Sequence, residues 1–195
     1  MSNTKNIGIL LISVILFGCR PCEPETYNMG EISDEALLSV PYTINDKPVL
    51  KHSNGQEISF SIDRITKDKT EYLCGHRCCD MLLYQENVTT MLPDKKLIKP
   101  VFHISNFDST YVSISVQINR SSFNIPAKRA QMNDIAFVDS MTIEGNMYYN
   151  VFKLGYIEHY IDSENPIFID SLYYNYNKGI LKISLSNNEF YALAE

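Results

Sequence analysis

The chain contains no tryptophan, and its one long apolar stretch is too short to cross a bilayer. That stretch, Ile7 to Phe17, covers eleven residues and includes Gly8 and Ser13, whereas a spanning helix needs roughly 20 apolar residues. A basic surplus is also missing. Lysine and arginine total 17 against 23 aspartates and glutamates, a net charge of −6, which argues against nucleic acid as a partner because phosphate binding requires a basic patch. No Gly-x-Ser-x-Gly, His-Glu-x-x-His or phosphate-binding glycine loop occurs. Neighbours such as Glu158 and His159, or Asp162 and Glu164, are pairs that any acidic chain offers. The expectation is a protein that is not an enzyme and carries no cofactor and no metal.

Helical periodicity is scarce after residue 40, and the composition turns toward sheet, with 13 tyrosines and 9 phenylalanines. Aromatic and β-branched residues suit a pleated, half-buried surface. Ser33 is placed to cap a helix of one or two turns before Pro41, with Asp34 and Glu35 in its first turn. Val49 to Ser53 and Gln56 to Ile65 flank Asn54-Gly55 and form the clearest hairpin, because Asn-Gly tolerates the positive φ angles of a tight turn. Ile58, Phe60 and Ile62 alternate with Ser59, Ser61 and Asp63, one face in and one out. Lys67 to Lys69 reads as a charged loop, and Leu73 to Thr90 as the least sheet-like part.

Tyr111 to Asn119 is the best strand, with Val112, Ile114, Val116 and Ile118 on one face. Asn124 to Asn133 reads as a polar connection, and Met141 to Glu144 turns through Gly145 and Asn146 into Met147 to Leu154. A last meander covers Ile167 to Tyr176, Ile180 to Ser186 and Phe190 to Leu193. The expected fold is all-β with little helix: an antiparallel meander forming a β-sandwich or an open half-barrel.

The amino terminus carries a separate signal. Lys5 and the free amino group precede the apolar run, whose length matches a signal-peptide core. It ends in Leu16, Phe17, Gly18, Cys19, and this stretch resembles the signal of bacterial lipoproteins, with leucine three residues before the cysteine and a small residue immediately before it. Phe17 departs from the small residue usual between them. The resemblance covers about the first twenty residues. It implies cleavage before Cys19 and acylation of that cysteine, and two or more acyl chains hold a protein stably at a membrane. Arg20 stands where an aspartate often retains lipoproteins in the inner membrane, so the resemblance implies a lipid-anchored envelope protein, leaning to the outer membrane. The implied organisation is a signal at 1–18, a lipidated cysteine and flexible tether at 19–33, and one β-rich domain at 34–195.

With Cys19 acylated, Cys22, Cys74, Cys78 and Cys79 remain, an even number in a compartment that permits disulfides. Pairing the neighbours Cys78 and Cys79 requires a strained ring. The alternatives join Cys22 to Cys78 or Cys79 with Cys74 taking the other, or join Cys74 to one of the neighbours and leave Cys22 free. A metal site of Cys74, His76, Cys78 and Cys79 is a rival reading, but structural zinc usually takes paired ligands from two separate loops. A redox role is weaker, since the cluster from Cys74 to Cys79 holds no Cys-x-x-Cys of the thioredoxin-like kind.

His52, His103 and His159 are scattered and read as structural or surface residues. Tyr148, Tyr149, Tyr173, Tyr174 and Tyr176 cluster in the carboxy-terminal meander, where neighbours on a strand point to opposite faces. They are either cross-strand packing or, where exposed, a platform for a sugar or peptide. Asp108-Ser109-Thr110, Asp139-Ser140-Met141 and Asp170-Ser171-Leu172 recur at a spacing of 31 and resemble a bacterial envelope O-glycosylation sequon. The simpler reading is that Asp-Ser suits a strand entry. Two functions are carried forward: a binding or structural lipoprotein acting on an envelope protein or glycan, and a carrier of a lipid or other apolar ligand. The carrier predicts an apolar cavity of several hundred Å³, and the binder predicts a filled core with an exposed aromatic or charged face.

Overall fold

A computed structural model describes residues 23–75, 79–95, 98–108, 111–126, 136–155, 158–159 and 167–194. Among them a single helix, α1 (Asp34–Leu38), accompanies thirteen strands. Cys19, Cys22, His76 and Cys78 lie outside the described residues.

Strand β1 (Thr26–Asn28) precedes α1, and β2 (Val49–His52) opens the main meander. It continues through β3 (Glu57–Cys74), β4 (Cys79–Pro93), β5 (Pro100–Asp108), β6 (Tyr111–Ile118) and β7 (Ser121–Ile125). The second half comprises β8 (Ala136–Ile143), β9 (Asn146–Gly155), β10 (Glu158–His159), β11 (Ile169–Asn175), β12 (Gly179–Leu185) and β13 (Phe190–Leu193). The sheet order is β10-β7-β6-β5-β4-β3-β2-β13-β12-β11-β9-β8, and every pairing on this path is antiparallel. β3 joins the halves, pairing with β2 over Glu57 to Ser59 and with β4 from Phe60 onward. The sheet curls into a half-barrel: β7 comes up against β9, and the Tyr176 hydroxyl donates to the Pro126 carbonyl across the closing gap.

Alternation sends apolar side chains into the concave side. Ile58, Phe60, Met91, Phe102, Ile104, Val116, Phe123, Phe152, Leu172 and Tyr174 form one continuous core, and burying each large side chain stabilises the fold by about 1.5–3 kcal/mol. Helix α1 packs against this core through Ala36 and Leu37. Ser33 caps it by accepting from the Ala36 N–H, and Ile32, Ala36, Val40 and Tyr42 join the core. The Arg64 guanidinium donates to the Leu37 carbonyl at the last turn, to the Tyr42 carbonyl and to Asn87 Oδ1. The orphan carbonyls of a helix end are thereby satisfied by a side chain from the sheet.

Four local expectations are corrected. Lys67 to Lys69 is not a loop, and the part read as least sheet-like lies in strands over 73–74 and 79–90: β3 and β4 pair without interruption from Phe60↔Pro93 to Cys74↔Cys79. Toward its tip this hairpin stands clear of the body with β3 exposed on both faces. It therefore needs no apolar alternation and is held by cross-strand polar pairs such as Lys69–Glu86 and Gln85–Asp68. At Asn54-Gly55 only Gly55 takes a positive φ, +91°, and Ser53 to Gly55 form a three-residue loop closed by His52 and Gln56. The fourth correction concerns the stretch read as tether, part of which lies in sheet: β1 pairs in parallel with β4, Thr26 opposite Met81 and Asn28 opposite Leu83.

A second, smaller cluster lies on the convex face, where Ile143, Tyr148 and Val151 pack with Leu181 and Ala192. Asn150 makes this possible. Its φ of +54° breaks the alternation of β9, so Phe152 and Leu154 join the core while Val151 and Tyr148 join the outer cluster.

Candidate functional site

The convex face of β9, β11, β12 and β13 carries a groove of about 430 Å³. Two β-bulges shape it. Register shifts between Ile169 and Ser171, and between Tyr173 and Tyr174, interrupt the pairing of β11 with β12. Bulges bend the strand locally and re-aim its side chains. Both shifts fall among the lining residues, which include Asp170, Ser171, Tyr173, Lys182, Ser184 and Phe190.

A transverse row crosses the groove, with Lys153 opposite Tyr173 and Tyr173 opposite Lys182. The Lys153 ammonium lies 5.8 Å from the centre of the Tyr173 ring, and the Lys182 ammonium lies 4.0 Å from that of Phe190. Such contacts contribute about 0.5–1 kcal/mol at exposed sites and fix where the charge is held. Among the described residues neither lysine forms an ion pair. Ser171, Ser184 and Ser186 add hydroxyls, and Asp170 and Glu189 stand at the margins. The arrangement is two held cations, two ring faces and a bed of hydroxyl groups, which suits binding an anionic ligand that also has flat faces.

The interior differs. Phe60, Phe102, Phe123, Phe152 and Tyr174 are fully buried, and rings run in contact from Tyr42 through Phe102 to Tyr174 and Tyr176. Beside Asn150, a pocket of about 180 Å³ is lined by Phe137, Tyr149, Phe152 and Tyr176 among others, small against the roughly 300–1,000 Å³ of ligand pockets. Burial pushes the Tyr176 hydroxyl up to about 12. Burial also raises Tyr42 and Tyr174 far beyond any physiological titration, so these phenols act as fixed hydrogen-bonding groups.

Cys74 and Cys79 face each other across the end of the β3–β4 hairpin and are joined by a disulfide. This pairing takes Cys79 from Cys22 and removes two thiolates that the metal reading required; Cys22 and Cys78 fall outside the described residues. His52 is buried, with its ring 4.6 Å from that of Tyr191 and its Nδ1 accepting from the Asn54 N–H. His103 lies 3.4 Å from Glu86. The His159 side chain lies outside the described residues.

The tyrosines divide as neighbours on a strand should. Tyr148 is buried and Tyr149 exposed, and Tyr174 is buried while Tyr173 faces the groove. Of the Asp-Ser sites, Ser140 is exposed in β8, whereas Ser171 is 4% exposed and closed to a modifying enzyme. Ser109 lies outside the described residues. The lysines of the groove were not singled out from the sequence. The available signal was a single charged residue inside each of two strands, Lys153 in β9 and Lys182 in β12. No known protein family matches this chain, and neither a curated protein nor a solved structure matches it.

Proposed function

We propose that the protein is a lipid-anchored, non-enzymatic binding module of a bacterial cell envelope, held through Cys19 at the outer membrane and binding an acidic glycan in the convex groove. The observation that carries this reading is the row of Lys153, Tyr173 and Lys182 with Phe190 beside it. Sugar rings pack on aromatic faces while carboxylates meet ammonium groups, and the more open Ser184 and Ser186 can exchange hydrogen bonds with sugar hydroxyls. The large side chains buried on the inner side, Phe60, Phe102, Phe123, Phe152 and Tyr174 among the described residues, weigh against a carrier of an apolar ligand.

The test is titration of acidic and neutral oligosaccharides into the chain starting at residue 19 with Cys19→Ser. Acidic ligands should bind. Lys182→Ala and Tyr173→Ala should each weaken binding by at least about tenfold, or ~1.4 kcal/mol, without loss of fold. Glycan binding that survives both substitutions removes the groove from the reading. Absence of glycan binding, with an envelope protein crosslinking to a photoreactive residue at 182, replaces the glycan by a protein partner.

A further inference from the structure

The chain leaves the described fold at the tip of the β3–β4 arm. β4 runs from the tip at Cys79 toward the body, and β1 lies parallel to it with Thr26 opposite Met81. Followed toward the amino terminus, β1 therefore heads for the tip. Cys19 lies seven residues before Thr26, which limits its distance from that residue to about 25 Å even when fully extended.

The arm is built to hold this direction. β5 occupies the free edge of β4 only as far as Glu86, and β1 takes over that edge at Leu83 to Met81. The junction is pinned by Asn106, which accepts from the Gln85 N–H and donates to the carbonyls of Met29 and Gly30. Beyond it the arm runs from Gln85 to Cys79, about 20 Å.

The tip exposes apolar groups on both faces. Tyr27 shares one face with Leu73, and Tyr72 occupies the other. Tyr72 is 66% exposed, Tyr27 and Leu73 42% each. Tyrosine suits the boundary between headgroups and acyl chains because its ring is apolar and its hydroxyl stays wet.

We infer that the tip of the β3–β4 arm rests in the headgroup layer of the membrane, with Tyr27, Tyr72 and Leu73 as its contact residues. The arm then acts as a stand that sets the height and tilt of the body. This inference rests on the lipid-anchor reading of Cys19. The occupant is the bilayer itself, since the anchoring chain departs from this end and is short.

The absence of tryptophan allows a clean test. Tyr72→Trp, Leu73→Trp and Met147→Trp are made separately in the full chain, which is expressed in a bacterium. The lipidated products are reconstituted into phosphatidylcholine vesicles with and without brominated phosphatidylcholine. Met147 lies at the end of the β8–β9 hairpin, in the body, and is 56% exposed. The expected result is flotation of all three with the vesicles, and a blue shift with loss of emission in brominated lipid for the reporters at 72 and 73 only. Flotation without quenching at 72 and 73, or with equal quenching at 147, overturns the inference and leaves the anchor standing. Failure to float overturns the anchor reading and the inference together.

Discussion

The Tyr42 hydroxyl accepts a hydrogen bond from the Ile180 N–H at 2.7 Å, joining the segment after α1 to the start of β12 across 138 residues of sequence. Ile180 is fully buried and Tyr42 4% exposed, so water cannot replace the bond. Tyr42→Phe keeps the ring against Phe102 but strands a buried donor, which costs about 1–3 kcal/mol. Urea unfolding should show that loss at an unchanged slope. A loss below about 0.5 kcal/mol would mean that Ile180 finds another acceptor.

Gly179 sits against the same hydroxyl. Its φ is +78°, and a Cβ placed there would lie 2.2 Å from Tyr42 Oη. Gly145 has a similar φ, +88°, with open space around it. Gly145→Ala should therefore cost only the left-handed penalty, about 1–2 kcal/mol. Gly179→Ala should cost more, because it also displaces the Tyr42 ring, and Tm measured on the two variants separates the terms. Equal losses would show that the ring yields without cost.

These contacts mark where sequence reasoning stops. The β2–β3 hairpin and β6 were legible because Ile58, Phe60 and Ile62, and Ile114, Val116 and Ile118, alternate and are buried on one side. The arm was not legible: Asp63, Lys67, Asp68 and Glu71 lie on a strand that buries neither face at that end, so no periodicity records it. The groove was hidden by different physics. Its bulges and the left-handed Asn150 break the two-residue period that a sequence reading counts on. Lys153, Tyr173 and Lys182 meet only through a register set by the turns between their strands.

The cysteines carry a covalent prediction. Cys74 and Cys79 are bonded, so with Cys19 acylated the cysteines left to pair are Cys22 and Cys78. The expected second bridge is Cys22–Cys78. Proteolysis of the unreduced protein followed by mass spectrometry should yield both linked peptides and no alkylated thiol. Free Cys22 and Cys78 would leave the β1 segment held without a covalent link, by its backbone pairing with β4 and the side chains of Asp80 and Asn106.

Cys74–Cys79 closes a short loop and should contribute about 2 kcal/mol through the unfolded chain, with its effect confined to the arm. In the Cys74→Ser, Cys79→Ser double variant, hydrogen exchange should accelerate for amides of Glu71 to Leu83 while those of β6 and β12 keep their protection. Uniform acceleration would instead make the arm part of the cooperative fold.

Glu86 sets the acid response of the arm base. Partial burial alone would raise its carboxyl, but Lys69 at 3.2 Å and His103 at 3.4 Å outweigh that and hold it below the ordinary 4.5. A carboxylate with a lowered folded pKa stabilises the fold fully above its unfolded value and loses that contribution as pH falls through the folded value. The contribution is therefore complete above about pH 4.5 and disappears below it, and for a group this open to solvent it is less than about 1 kcal/mol. Glu86→Gln should be less stable than the parent at pH 7 by that small amount, with the two curves converging as pH drops below 4.5. Urea midpoints measured from pH 7 to pH 3 check it. A difference that persists unchanged at the acid end would mean that Glu86 acts through packing of its side chain and not through its charge.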